Sequence, residues 1–199
     1  MYFDGEYRFI GSADPAPAQA AMAAMGTDAW TAETGRQQVY RAHAQTETVG
    51  LIFDPDMRHT DATIQPAFAR FQPLLEPVMD IIRDFYARNP PPGTISGPGY
   101  FQRIILVRLA AGGNIGSHRD NGASLSRAHR IHFPIVTAPG VDFGIAGVVR
   151  HLAAGEIWEI NNRKPHAVRN QSAQARIHAI LDYVLPGEIV QDPDGQLVA

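Results

Sequence analysis

His118 and Asp120 lie two residues apart in the run NIGSHRDNGAS, residues 114–124. In an extended chain, side chains two apart leave on the same side. An imidazole and a carboxylate are therefore offered together, either as metal ligands or as an ordinary charged turn. A third ligand would have to come from elsewhere in a sheet, and His166, which follows the turn-forming NNRKP, is the candidate. Two imidazoles and one carboxylate on one face of a metal leave three positions open. That suits Fe(II) in oxygenases, where substrate, cosubstrate and O2 can all bind. H-x-D alone does not separate the two readings.

Ten residues beyond His166 stands Arg176, in RIHAILDYV. Alternation puts Arg176, His178, Ile180 and Asp182 on one face, with Ile177, Ala179, Leu181 and Tyr183 on the other. In RIHFPIV, Arg130 and His132 share a face opposite Ile131, Phe133 and Ile135. Such faces read first as polar to water and apolar to the core. Around a ligand cavity the polar faces point inward instead, and an inward guanidinium at Arg176 calls for an anion such as a dicarboxylate cosubstrate. Alternation alone leaves both open. Trp158 reads as core or cavity wall, and His129 and His151 as surface. His178 reads as a hydrogen-bonding neighbour of Arg176. His43 and His59 have no ligand-like company. Arg103 and Arg108 fall on opposite faces of one strand, so at most one of them faces a cavity.

The elements that must hold these residues are mostly short strands. Runs at 101–109, 130–136, 141–146, 156–160, 166–170 and 176–184 are separated by turn signals such as Gly112-Gly113 and Ala154-Gly155. Many short strands at regular spacing predict a sandwich or barrel, and a jelly roll is favoured. The first 89 residues read as mixed. They hold two or three strands, one of them at VGLIFD (49–54), a short surface helix at 16–25 and an amphipathic helix over Ala62–Asn89. Pro66 suits that helix's first turn, whereas Pro73 and Pro77 should kink or split it. NPPPGTISGPG (89–99) is a linker, and the tail carries a turn at Asp194-Gly195. The whole reads as one domain, mainly β with flanking helices, with the core at 100–185.

Composition narrows the function. The 199 residues carry a net charge of −3 and no cysteine. No basic excess points to nucleic acid. Disulfides, thiolate metal sites and a cysteine nucleophile are excluded, and the lack of cysteine suits the cytoplasm. The N-terminus, with Asp4, Glu6, Pro15 and Pro17, does not read as a signal peptide. No run approaches the length of a membrane span.

Residues 117–182 resemble the aspartyl/asparaginyl β-hydroxylase family. The match rests on H-x-D at 118–120, R-x-H-x-P at 130–134 and G-E-x-W at 155–158. It continues through His166 with Asn170 four residues on, to R-x-H at 176–178 in a strand reaching Asp182. Residues 30–54 are similar to the family's N-terminal part, more weakly. The resemblance implies an Fe(II)- and 2-oxoglutarate-dependent oxygenase on a double-stranded β-helix, a cupin-like jelly roll. It implies His118, Asp120 and His166 as iron ligands and Arg176 as the site for the distal carboxylate of 2-oxoglutarate. Arg130 and His132 would contact cosubstrate or a substrate carboxylate, and Asp182 would be supporting. The products would be succinate, CO2 and a hydroxylated C–H. An amino-acid-like small molecule or peptidyl group is the expected substrate, with a protein Asp or Asn side chain as the alternative. A metal-dependent cupin enzyme that does not use 2-oxoglutarate would leave Arg176 without a task. A non-catalytic jelly roll binding a small acid or a partner is the remaining reading. Residues 1–89 would wall the substrate side or form a homodimer contact.

Overall fold

The computed structural model describes residues 1, 3–32, 35–53, 62–95, 97–120 and 123–189. In chain order the elements begin with β1 (Tyr7–Ser12), α1 (Ala16–Ala23), α2 (Thr27–Thr31), α3 (Gly35–Val39) and a 3-10 turn at Arg41–His43. Then come β2 (Thr46–Phe53), β3 (Thr63–Ile64), α4 (Phe68–Arg88), β4 (Tyr100–Leu109), β5 (Asn114–His118) and α5 (Ala123–Arg127). The chain continues with β6 (His129–Val136), β7 (Val141–Ile145), β8 (Val148–Arg150), β9 (Glu156–Ile160), β10 (His166–Asn170) and β11 (Arg176–Val184). A seven-stranded sheet runs in the order β1-β9-β6-β11-β4-β2-β3 and faces a four-stranded sheet ordered β5-β10-β7-β8. The strands pair antiparallel in both. Two facing antiparallel sheets with a cavity between them are the expected jelly roll.

The large sheet is buried on both faces, so the polar alternation does not point to water. Ile177, Ala179, Leu181 and Tyr183 of β11 join Ile131, Phe133 and Ile135 of β6 in the outer core, under Leu75, Val78 and Ile82 of α4. The opposite face, carrying Arg130, His132, Arg176, His178 and Asp182, is buried as well. A second apolar cluster, including Leu109, Ile115, Phe143, Trp158 and Val168, closes the space between the sheets.

Several expectations shift. α4 runs unbroken from Phe68 to Arg88 with Pro73 and Pro77 inside it. Both prolines are exposed, so the carbonyls of Ala69 and Pro73 that lose their N–H partners are placed to be hydrated. The strand expected at 49–54 begins earlier, at Thr46. β5 and β8 were not expected as strands, β1 had not been located, and β3 takes residues expected in the helix, which starts at Phe68 rather than Ala62. The turn expected at Asp194-Gly195, and His59, lie outside the described residues. Of the two readings of Trp158, core holds: it belongs to the second apolar cluster, its indole N–H donates to Glu156 Oε2 (2.8 Å) and its ring meets Phe9. Among the described residues no helix is long and apolar enough to cross a membrane.

Two irregularities aim the inward side chains. Val168 pairs with Ile115 and His166 with His118, so β5 carries one residue more than β10 over that stretch. Ile115 and His118 are three apart, and a regular ladder would turn them to opposite faces. The bulge lets both point inward. On β4, Asp182 pairs with Arg103 and Tyr183 with Phe101, leaving Gln102 as the extra residue. Arg103 thereby faces inward with Asp182, while Phe101 stacks outward against Tyr183 at 4.8 Å.

Candidate metal centre

The corner from β4 to β5 crosses from one sheet to the other through Gly112-Gly113. Gly112 has φ +71°, and a Cβ on Gly113 would lie 2.9 Å from Leu109 and 3.0 Å from the Ala110 carbonyl. Asn170, at the far end of β10, fixes this corner. Its backbone N–H donates to Gly113 O (2.9 Å), and Nδ2 donates to Ala110 O (2.9 Å) and Gln174 O (2.8 Å). β5 and β10 are thus pinned at one end and present His118 opposite His166 at the other.

Those two rings lie 4.2 Å apart, centroid to centroid. His118 Nδ1–H donates to Gly116 O (2.8 Å), and His166 Nδ1–H donates to Lys164 O (3.0 Å). Each Nε2 is then left as the lone-pair nitrogen. Both face Asp120: Oδ1 is 3.7 Å from His118 Nε2 and Oδ2 is 3.9 Å from His166 Nε2. One ligand atom from each residue fits within 4.8 Å of the others. Burial, and the charge of neighbouring His118, hold His166 below its ordinary value despite Asp120. The neutral, ligating form is the favoured one. A mutually facing set of two imidazole nitrogens and a carboxylate is the donor chemistry for a divalent first-row metal.

Asp120 lies past the end of β5. Its N–H donates to Asn162 O (3.1 Å), its carbonyl accepts from Arg163 Nη1 (2.8 Å), and its Oδ2 accepts from Arg130 Nη1 (2.6 Å). The turn that introduces His166 therefore also fixes Asp120. Arg130 in turn donates through Nε to Asp182 Oδ1 (2.9 Å) and through Nη2 to Asp182 Oδ2 (2.8 Å). Burial opposes both charges, yet Asp120 and Asp182 hold Arg130 above its ordinary value, and Arg130 holds Asp182 below its own.

Arg176 is 1% exposed and lines the same cavity as His118 and His166, with Arg130, His132 and His43. Its Nη2 donates to His178 Nδ1 (2.7 Å), the expected neighbour contact. Arginine has no lone pair to offer, so His178 Nδ1 is the acceptor and His178 Nε2 carries the proton. His132 Nδ1 lies 3.3 Å from the same atom. Burial and the Arg176 cation hold both imidazoles well below their ordinary values. Two neutral imidazoles thus stand beside the buried Arg176 guanidinium.

All six expected site residues are brought together. One further residue joins them unexpectedly. His43 stands edge-on to His118 at 4.8 Å, which corrects its lack of company. Arg103 is the inward member of its pair, 3.7 Å from Asp182. Arg108 instead pairs with Glu47 and lies over Trp30. His129 is not at the surface. It is 2% exposed, with Nδ1 donating to Glu159 Oε1 (2.6 Å) and Nε2 to Glu188 Oε2 (2.8 Å). Against the cost of burial, the two carboxylates raise it above its ordinary value. Continuing the β6 alternation back by two residues from Ile131 would have placed it on the buried outer face. His151, in contrast, is exposed as expected.

Residues 91–186 match the family model described as aspartyl/asparaginyl beta-hydroxylase. Among solved structures, the chain is similar to an oxidoreductase of the 2OG-Fe(II) oxygenase family from Burkholderia pseudomallei. The identity is 16% over 89% of this chain and 93% of that one, with a TM-score of 0.55. It is similar to the viral collagen prolyl hydroxylase of Paramecium Bursaria Chlorella virus-1, solved with 2OG, at 9% identity over 90% and 96% (TM-score 0.57). It is also similar to AviO1 from Streptomyces viridochromogenes Tue57, at 14% over 92% and 91% (TM-score 0.54). At such identities the likeness is one of fold. No curated protein matches the chain. The segment that matches the family model contains β4 to β11, hence His118, Asp120, His166 and Arg176, so the likeness to the aspartyl/asparaginyl β-hydroxylase family spans the residues of the candidate centre.

Proposed function

We propose that the protein is an Fe(II)- and 2-oxoglutarate-dependent hydroxylase acting on an aliphatic C–H of an amino-acid-like small molecule or a peptidyl substrate. The observation that carries this reading is the convergence of two Nε2 atoms and the Asp120 carboxylate within 4.8 Å, with buried Arg176 on the same cavity. His118, Asp120 and His166 would hold the iron. Bound iron and 2-oxoglutarate supply the O2 chemistry, releasing succinate and CO2 and placing one oxygen atom on the substrate carbon.

The chain's own residues orient and exclude. Gly116 and Lys164 carbonyls fix both ligand tautomers. Arg176 offers its guanidinium to the distal carboxylate of the cosubstrate, and His178 sets the plane of that guanidinium from the other side. His132 stays neutral beside it and contacts cosubstrate or a substrate carboxylate. Arg130, whose Nε, Nη1 and Nη2 are already engaged, retains two further N–H groups for the same task. Ile115, Phe143, Val168 and Ile180 supply apolar wall. The cavity is tight, about 20 Å³, which is room for about one water.

The test is anaerobic loading with Fe(II) and 2-oxoglutarate, then O2, followed by succinate and a one-oxygen mass gain across amino acids, peptides and Asp- or Asn-containing proteins. Wild type should release succinate, and His118→Ala and His166→Ala should not while keeping the wild-type circular dichroism. Full turnover in either variant would overturn the ligand assignment. Absence of succinate from iron-loaded wild type would favour a binding jelly roll instead.

A further inference from the structure

The mechanism gives Asp182 no task. Asp182 is 0% exposed and lies outside the cavity lining. It is the cross-strand partner of Arg130 on β6 and of Arg103 on β4. Arg103, Asp182, Arg130 and Asp120 thus form a row of alternating charge that ends at a candidate ligand. Asp120 needs such support, because it lies past its strand and its carboxylate is aimed by Arg130 Nη1 at 2.6 Å. Arg130 can aim only if it cannot turn. Its two parallel bonds to Asp182 fix the guanidinium plane, the geometry in which a fork carries most directional information.

We propose that Asp182 is a positioning residue for the metal centre, acting through Arg130 to fix the carboxylate of Asp120. Two consequences follow from the geometry. Arg130 engages Oδ2 of Asp120 and so holds the carboxylate with Oδ1 3.7 Å from His118 Nε2. Asp182 also cancels the charge of Arg130, which would otherwise stand beside a divalent cation and compete with it for Asp120. The inference rests on Asp120 being a ligand, as proposed above.

The experiment is a double-mutant cycle read by Mn(II) affinity, using titration calorimetry or the free-ion EPR signal without O2 or substrate. Asp182→Asn and Arg130→Lys are each made in the wild-type and Asp120→Ala backgrounds. The Lys variant keeps the charge but not the fork, and stands in if the Asn variant does not fold. Each should weaken Mn(II) about tenfold to a hundredfold in the wild-type background, the usual effect of removing the hydrogen-bond partner of a ligand. In the Asp120→Ala background neither should change affinity more than about threefold, because the residue through which they act is gone. Unchanged affinity in the folded wild-type background, or an equal loss in both, overturns the inference. If Asp120→Ala itself binds Mn(II) as wild type does, the ligand reading fails instead.

Discussion

Arg176 carries its charge at a position only 1% exposed, ending on a neutral histidine. A buried guanidinium on the cavity wall can hold a carboxylate through charge-assisted hydrogen bonds. Arg176→Leu should therefore weaken 2-oxoglutarate binding to the Mn(II)-loaded protein by about tenfold to a hundredfold, the worth of hydrogen bonds to a charged group. Mn(II) affinity should stay within a few fold. Calorimetric titration checks both, and an unchanged cosubstrate affinity would remove Arg176 from that role. Much of this was legible in the sequence. Alternation on β6 and β11 put Arg130, His132, Arg176 and His178 on one face, and H-x-D with a distal histidine named the donors. The pairing of Asp182 with both arginines and the placement of His43 were not legible. Asp182 acquires its part from two cross-strand neighbours. His43 acquires its part because a 3-10 turn carries it to His118. Neither relation leaves a local pattern.

At the scale of elements, the strands that follow a regular period of two were readable and those that break it were not. β5 was missed because NIGSH has no alternation. Its bulge needs Ile115 and His118 on one face at a spacing of three. On β4 the residue count made Phe101 and Arg103 face alike, and the extra Gln102 separates them. α4 erred the other way. Its apolar face, with Leu75, Val78 and Ile82 buried, outweighs two prolines that the propensity rule reads as breaks. Because Pro77 is exposed, replacing it restores a backbone bond without disturbing the core. Pro77→Ala should stabilise the protein by about 1–2 kcal/mol, less than the full propensity difference because the unfolded chain also gains freedom. That corresponds to a rise of about 2–8 °C in Tm by calorimetry. A fall in Tm would mean that the proline ring contributes packing that its exposure does not suggest.

Over the whole molecule, labour is divided between the sheets. The large sheet has a helix-covered core on one face and supplies the cationic wall of the cavity on the other, whereas the small sheet supplies both histidines. These histidines sit on different strands, joined by a short ladder that a bulge interrupts. An ion held between them is also a cross-link, so the centre doubles as a clasp on the less extensive sheet. Occupancy at a hundred times the dissociation constant adds about 2.7 kcal/mol against any opening that parts the ligands. Amide hydrogen exchange should read this directly. On loading with Mn(II), backbone amides of β5 and β10 should exchange up to about a hundredfold more slowly. Those of β4 and β11, already locked under α4, should change far less. Uniform protection across both sheets would mean that the ion stabilises the molecule as one unit. The predicted pattern would make the small sheet a separately opening layer, whose rigidity is set by what the centre holds.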